Sequence, residues 1–308
     1  MMKKIIFPVL VTVLLASCKS ASPTGNTTSI YQTNYHGWSG SFVLRNGKVE
    51  AVVVPAIGRV MQFRFAGETE GPFWENKAFE GRSPNPTSSE WGNYGGDKTW
   101  PAPQGEWQKI TKRGWPPPQA FDSMAVSASE QKGALVLESP VDPHFGIKTI
   151  RTIQLAKSSS QMTIVTEYVK VSGEPSKVAI WTITQLKDPL KVSIPVSPLN
   201  GLVFNNQSQK MPADWNVGKN EMTFTRGKSD PSKVGAYGDF LRWTDGKTNL
   251  QIDSPRQNGG DYTDAGSSIE VYTSPDPLPY VELELLNPMH TYSIGDHYSK
   301  TNVYTLSR

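Results

Sequence analysis

The chain has 308 residues, 37% apolar and 19% charged, with nine Trp, eleven Tyr, eleven Phe and a net charge of +3. These proportions exclude a disordered polyelectrolyte and an integral membrane bundle, and so small a charge gives no argument for nucleic acid. The 26 Gly and 24 Pro favour turns over long helices, and the single Cys excludes a disulfide framework or a Cys-rich zinc site.

Lys3 and Lys4 precede an apolar run, Ile5 to Ala16, broken once by Pro8. The run is too short to span a bilayer as a helix and fits the core of a signal peptide. It ends in Leu15-Ala16-Ser17-Cys18, which resembles a bacterial lipobox. The only cysteine stands where lipidation requires one, so residues 1–17 are expected to be removed and Cys18 to carry the lipid; an ordinary signal peptide with a chance cysteine is the alternative. Removal of residues 1–17 takes away two Lys and leaves a charge of about +1. The expected location is the bacterial cell envelope, periplasmic or surface-facing, with the membrane reached through the anchor alone. Residues 18–30, rich in Ser, Thr, Gly and Asn, read as a flexible tether, and 31–308 as one domain.

The next elements are strands. Phe42 to Arg45, Asn46-Gly47 and Lys48 to Val54 predict a hairpin closed by a type I′ turn. Gly58 to Phe65 alternates as a strand does. Further strands are expected at 134–138, 146–155, 162–171, 177–185, 221–225, 240–244, 268–273, 280–286 and 302–306. No amphipathic helix of three turns and no repeat of 20–50 residues is present. The expected fold is all-β, a large antiparallel sandwich.

Residues 67–119 do not read as sheet; they are rich in Pro, Gly, Asn and Trp. A structureless stretch this long inside a compact domain is commonly functional. Its densest part runs from Trp91 to Gln104 (WGNYGGDKTWPAPQ), and four of the nine Trp lie within residues 91–115. Indole plates interleaved with Asn93, Asp97, Lys98 and Gln104 suit a sugar, which offers an apolar face of C–H bonds and a rim of hydroxyls. Gly95-Gly96 permits close backbone approach or positive φ. The alternative is that these Trp plug one end of the sandwich.

In the strand Tyr280 to Leu286, Glu282 and Glu284 share one face, their Cα atoms about 7 Å apart. Desolvation could raise one of them for general acid or base work; the alternative is a solvated strand face. None of His36, His144, His290 and His297 has HExxH or paired metal-ligand spacing, so no His-based zinc site is expected. His144, in Asp142-Pro143-His144-Phe145-Gly146, is a candidate site residue. No cofactor is implied; calcium stays open as a ligand of the Asp261/Asp264 turn, although EF-hand spacing is absent.

GRVMQFRF, WGNYGGDKTWPAPQ, VAIWTITQ, SIEVYTS and YVELELL, in this order, resemble the bacterial DUF4380 family, itself similar to galactose mutarotase-like proteins of the β-supersandwich fold. The resemblance spans roughly residues 33–306 and implies that fold and a saccharide-like ligand. Mutarotases carry a catalytic glutamate on a late strand in a Leu-Glu context, which Leu283-Glu284 matches, so the resemblance implies Glu284 as general base. The stretch comparable to their histidine-bearing strand, Val178 to Gln185, has no histidine, which leaves Lys98 or His144 as the acid. Arg59 resembles the start of their early Gly-Arg motif, without the Asn-Arg that follows. The expected site therefore comprises Glu284 and His144 as catalytic candidates. Arg59, Asn93, Lys98, Trp100, Gln104, Trp181, Gln185 and Glu282 are the candidate ligand contacts. Three roles follow: a lipid-anchored carbohydrate binder, a sugar-acting enzyme using Glu284, and a structural envelope lipoprotein.

Overall fold

A computed structural model describes residues 28–85, 91–195, 202–204 and 211–308. The expected signal peptide, Cys18 and the expected tether through residue 27 lie outside the described residues. Ser29 and Ile30, assigned above to the tether, instead pair with Arg45 and Leu44 in the first strand.

Two antiparallel sheets face each other. The first runs Ser29–Tyr35, Trp38–Arg45, Val49–Val54, Arg59–Phe65, Asp97–Ala102, Ser176–Lys187, Tyr280–Leu286, Ile269–Thr273, Ser232–Ala236 and Leu202–Phe204; His290–Tyr292 pairs with the start of Ser176–Lys187. The second runs Ala213–Val217, Glu221–Thr225, Lys191–Pro195, Phe240–Thr244, Asn249–Asp253, His297–Ser307, Gln161–Lys170, Ile147–Leu155, Ala134–Glu138 and Ser127–Gln131. Apolar residues from the facing sides, among them Val281, Leu283 and Leu285 from the first and Met162, Ile164 and Leu250 from the second, form the main core. This is the expected all-β sandwich. Among the described residues the α-helices are two short ones, Trp107–Thr111 and Gln119–Asp122.

The two sheets differ in what covers them. Gln161–Lys170 alternates strictly between buried and half-buried positions, because its outer side meets solvent. Tyr280–Leu286 and Asp97–Ala102 are buried at every position. One side of each packs on the second sheet; on the other side Trp91, Trp107 and Asp122 cover Trp100, and Trp74 covers Tyr280. Glu282 and Glu284 therefore do not lie on a solvated strand face.

The structure corrects two local expectations. The hairpin turns one residue later than expected, at Gly47-Lys48 rather than Asn46-Gly47: Arg45 pairs with Glu50, the Asn46 backbone amide donates to the Val49 carbonyl at 3.3 Å, and Asn46 Oδ1 accepts from the amides of Lys48 and Val49. The Asn46 side-chain amide also donates to the carbonyls of Ala156 and Ser159, so a tertiary contact sets the turn. The 67–119 segment is not all loop either, since Asp97–Ala102 is a central strand despite Pro101. Its other neighbour, Arg59–Phe65, pairs with it only at Val60–Asp97, so no partner strand on that side requires an amide from residue 101. Gly95 and Gly96 lead into this strand with φ of +91° and +71°; a Cβ on Gly95 would stand 2.2 Å from the Trp74 carbonyl oxygen. Both expected properties of the pair, positive φ and close approach, are used to pass chain against chain.

Alternation in Asp97–Ala102 divides its residues between the sheet's two sides. Asp97 points into the sandwich, where it ion-pairs with Arg151 and accepts from Thr184 Oγ1 at 2.6 Å and Tyr304 OH at 2.7 Å. Thr99 bonds Tyr168 across the same interface at 2.8 Å. Asp97 is thus an anchor between sheets rather than a ligand-facing fork.

Candidate functional site

The strand registers assemble a charged cluster on the side of the first sheet turned away from the second. Lys98 pairs with Ile183 and Ile183 with Glu284; Trp100 pairs with Trp181; Gln185 with Glu282; Glu282 with Tyr272; and Glu284 with Glu270. Lys233, on the next strand, pairs with Tyr272. Five strands thus bring two lysines, three glutamates and two tryptophans to one buried face.

The polar contacts are specific. Lys233 Nζ lies 2.8 Å from both Glu284 Oε2 and Glu270 Oε2, and 4.6 Å from the centre of the Trp181 ring. Trp181 Nε1 donates to Glu284 Oε2 at 2.7 Å. Lys98 Nζ lies 3.3 Å from Glu282 Oε1 and 4.7 Å from the Trp100 ring centre, and Gln185 Nε2 donates to the same carboxylate oxygen at 2.9 Å.

Burial pushes the Glu284 carboxyl well up; Lys233 opposes this, while Glu270 and Glu282 add to it. Burial raises Glu270 as well, again against the pull of Lys233. Two facing carboxyls with one ammonium between them hold a proton at neutral pH that ordinary carboxylates would lose. Burial alone would lower Lys233, but Glu270 and Glu284 outweigh it and hold the ammonium charged. Lys98 moves the other way: burial lowers it, and Glu282 only partly compensates.

Beside this cluster stands a second hub. Asp122, on the Gln119–Asp122 helix, receives Arg59 Nη2 at 2.8 Å, Trp100 Nε1 at 2.9 Å and Trp91 Nε1 at 3.1 Å. Arg59 is fully buried and also donates to the Gly95 carbonyl at 2.7 Å. It therefore holds the Trp-rich segment against the sheet.

Trp100 packs edge-to-face on Trp91, Trp107, Trp115 and Trp181, with centroids 5.4–6.0 Å apart, and is 4% exposed. Its rings are occupied by neighbouring indoles. Trp181 instead lines an open cavity of about 420 Å³, shared with Lys233, Gln104, Gln108 and Asp264. Of the sequence-derived candidates, Lys98, Trp100, Trp181, Gln185, Glu282 and Glu284 come together on the sheet, with Gln104 at the cavity rim and Arg59 behind. Asn93 is buried near Tyr280. His144 is not in this group: it is exposed, in a turn whose Asp142 carboxylate accepts its backbone amide, next to the second sheet's Ile147–Leu155 strand. Asp261 is ion-paired with Lys177 at 2.8 Å, and among the described residues His36, Glu75 and Glu80 form a group with metal-ligating atoms close together.

Sequence reasoning missed Lys233, Glu270 and Asp122. Glu270 had a signal, a lone carboxylate alternating with Tyr272 in an apolar strand. Lys233 had none, because the short strand Ser232–Ala236 contains Gly235 and follows Pro231.

No family model and no curated protein matches the chain. Solved structures do. A galactose mutarotase-like protein from Lactobacillus casei is similar with a TM-score of 0.59 at 10% identity, over 87% of this chain and 100% of its own. A galactose mutarotase related enzyme from Lactobacillus acidophilus scores 0.55 at 9% identity, over 87% and 97% of the two chains. A galactose mutarotase-like protein from Clostridium acetobutylicum scores 0.54 at 11% identity, over 92% and 99%. The chain has the galactose mutarotase-like β-sandwich fold.

Proposed function

We propose that the protein binds a saccharide in the cavity floored by Trp181, and that it does so from the bacterial envelope, tethered through a lipid on Cys18. The observation that carries the reading is the cavity itself. It offers one indole, the amides of Gln104 and Gln108, and a charged floor at Lys233, the mixture of apolar plate and hydrogen-bonding rim that a sugar requires. Trp100, walled in by other indoles, contributes by holding Trp181 in place. A purely structural envelope role accounts for the packed Trp100 and Trp107 but leaves the open cavity without use. The galactose mutarotase-like fold supports the same reading.

A thermal-shift screen against neutral, acidic and amino sugars tests it. A ligand at 100 times its dissociation constant stabilises the fold by about 2.7 kcal/mol. The expected result is a hit that Trp181→Ala abolishes; no shift with any sugar, or a shift that survives Trp181→Ala, overturns the proposal.

A second reading, a sugar-acting enzyme, is favoured by the Glu270/Glu284 pair. Ring opening of an aldose needs a proton given at one oxygen and taken at another, and a proton-sharing carboxyl pair beside Lys233 can do either. On this reading Glu284 is the catalytic residue and Glu270 positions its proton. Glu284→Gln is expected to abolish anomer interconversion of the sugar hit, followed by polarimetry, while leaving the Trp181-dependent thermal shift in place. Full turnover in Glu284→Gln sinks the enzyme reading without touching the binding one.

A further inference from the structure

Strand pairing sorts the turns of both sheets to two ends of the sandwich, and one end is basic. The chain enters the domain there: Ser29 pairs with Arg45, at the foot of the turn that carries Lys48. Asn46 of that turn donates to the carbonyls of Ala156 and Ser159, which sets the turn bearing Lys157 beside it. Leu135 pairs with Ile153, so the turn with Lys132 lies at the same end. Gln161 pairs with Thr305 and Asn249 with Ser307, which adds the turn with Lys247. Lys191 pairs with Thr244 at the start of that turn. The Lys228 carbonyl accepts from the amide of Asp276, whose carboxylate shares Arg226 with Asp188.

All six lysines are exposed and, among the described residues, none has an ion pair. The neighbouring carboxylates are already engaged. Glu68 is paired with Arg308, Glu70 with Lys187 at 2.6 Å, and Asp188 and Asp276 with Arg226 at 2.9 Å. Asp230 and Asp245 accept hydrogen bonds within their own turns. Apolar surface accompanies the cations: Leu190, next to Lys191, is 64% exposed, and Leu278 is 38% exposed. At the opposite end of the same second-sheet strands, the turns at 139–146, 171–175 and 293–296 contain no lysine or arginine. The positive charges at the first end therefore add rather than cancel.

We propose that this basic end docks on the headgroups of an anionic lipid bilayer. The proposal rests on the envelope reading above for the membrane it meets. Cys18 precedes Thr28 by ten residues, a reach of at most about 36 Å, so a lipid on Cys18 and the six lysines address the same surface. A lipid chain gains hold from a polybasic patch, and each lysine near an anionic surface strengthens binding about fivefold. Trp181 stands six residues along its strand from Lys187, about 20 Å from the basic end. Docking thus leaves the cavity floor clear of the bilayer.

The test sediments the unacylated chain that processing would leave, residues 18–308, with vesicles of phosphatidylcholine alone or mixed with phosphatidylglycerol. The expected result is binding to the anionic vesicles only, weakening as salt is raised. Lys48→Glu, Lys157→Glu and Lys247→Glu together should weaken it at least about tenfold. Lys109→Glu, Lys112→Glu and Arg113→Glu make the same change of charge on the Trp-rich segment, beside Trp107, and should leave binding within about twofold. Thermal melts of both triple variants establish that they fold. No preference for the anionic vesicles, or an equal effect of the two triple variants, overturns the proposal. Mass analysis of Cys18 in protein taken from bacterial membranes reads the lipid separately: an unmodified cysteine ends the tether reading and leaves the docking result standing.

Discussion

Lys98 and Lys233 stand on the same side of the same sheet in nearly the same company. Each ammonium sits over an indole, at 4.7 and 4.6 Å, and each meets a glutamate of the Tyr280–Leu286 strand. Yet burial drags Lys98 below its ordinary range while Lys233 is held above it. The difference lies in the counter-charges. Lys233 touches two carboxylates at 2.8 Å, whereas Lys98 has one at 3.3 Å and feels the like charge of Arg59. Lys300 extends the series to none: its Nζ donates to the Leu286 carbonyl at 2.9 Å, and burial pushes it down to about 7. With two carboxylates in contact the buried lysine shifts up, and with one or none it shifts down.

Mutation can break this series at each member. Lys233→Met leaves Glu270 and Glu284 facing each other without a cation, and removing one partner of a buried pair costs about 3–5 kcal/mol. Urea unfolding at pH 7 should register this, and Glu270→Gln in the same chain should recover part of it. A full loss unrelieved by Glu270→Gln would show that packing on Trp181, not charge, sets the role of Lys233.

Lys300→Met should act in the opposite direction. Between pH 7 and 10.5 the unfolded chain holds a proton on Lys300 that the folded chain does not, so stability rises with pH across that window. The methionine removes this slope and gains about 2 kcal/mol at pH 7, after allowance for the lost carbonyl bond. Parallel pH-stability curves for wild type and variant would contradict it.

Lys98→Met should cost least, about 1–2 kcal/mol, because Glu282 keeps the Gln185 donor. Adding Glu282→Gln should bring the cost close to zero. If Lys98→Met destabilises as much as Lys233→Met, the contrast between the two lysines fails.

How much of this the sequence disclosed depends on the range of the interactions. Alternation within Tyr280–Leu286 was enough to put Glu282 and Glu284 on one side, since strand periodicity is local. That both carboxylates are buried was not legible, because their partners are remote in sequence: Lys98 and Gln185 at Glu282, Trp181 and Lys233 at Glu284. The strand Asp97–Ala102 was hidden by its own punctuation, Gly95-Gly96 before it and Pro101 within it. Those residues mark a break unless the neighbouring strand is known to diverge after Val60. Asn46 illustrates the same limit at smaller scale: the dipeptide signalled a reversal, but its bonds to Ala156 and Ser159 set the reversal's shape.

The strand Asp97–Ala102 has a consequence for how such a protein can change. Asp97 and Thr99 fasten it to the opposite sheet, while Lys98 and Trp100 face the cluster. Alternate residues thus serve separate ends: one set holds the two sheets together, the other builds the buried cluster. Lineages can rewrite the second set without disturbing the first, provided that charges are exchanged in balanced groups. A combinatorial library confined to 98, 233, 270, 282 and 284 would show how many balanced charge sets the same scaffold accepts.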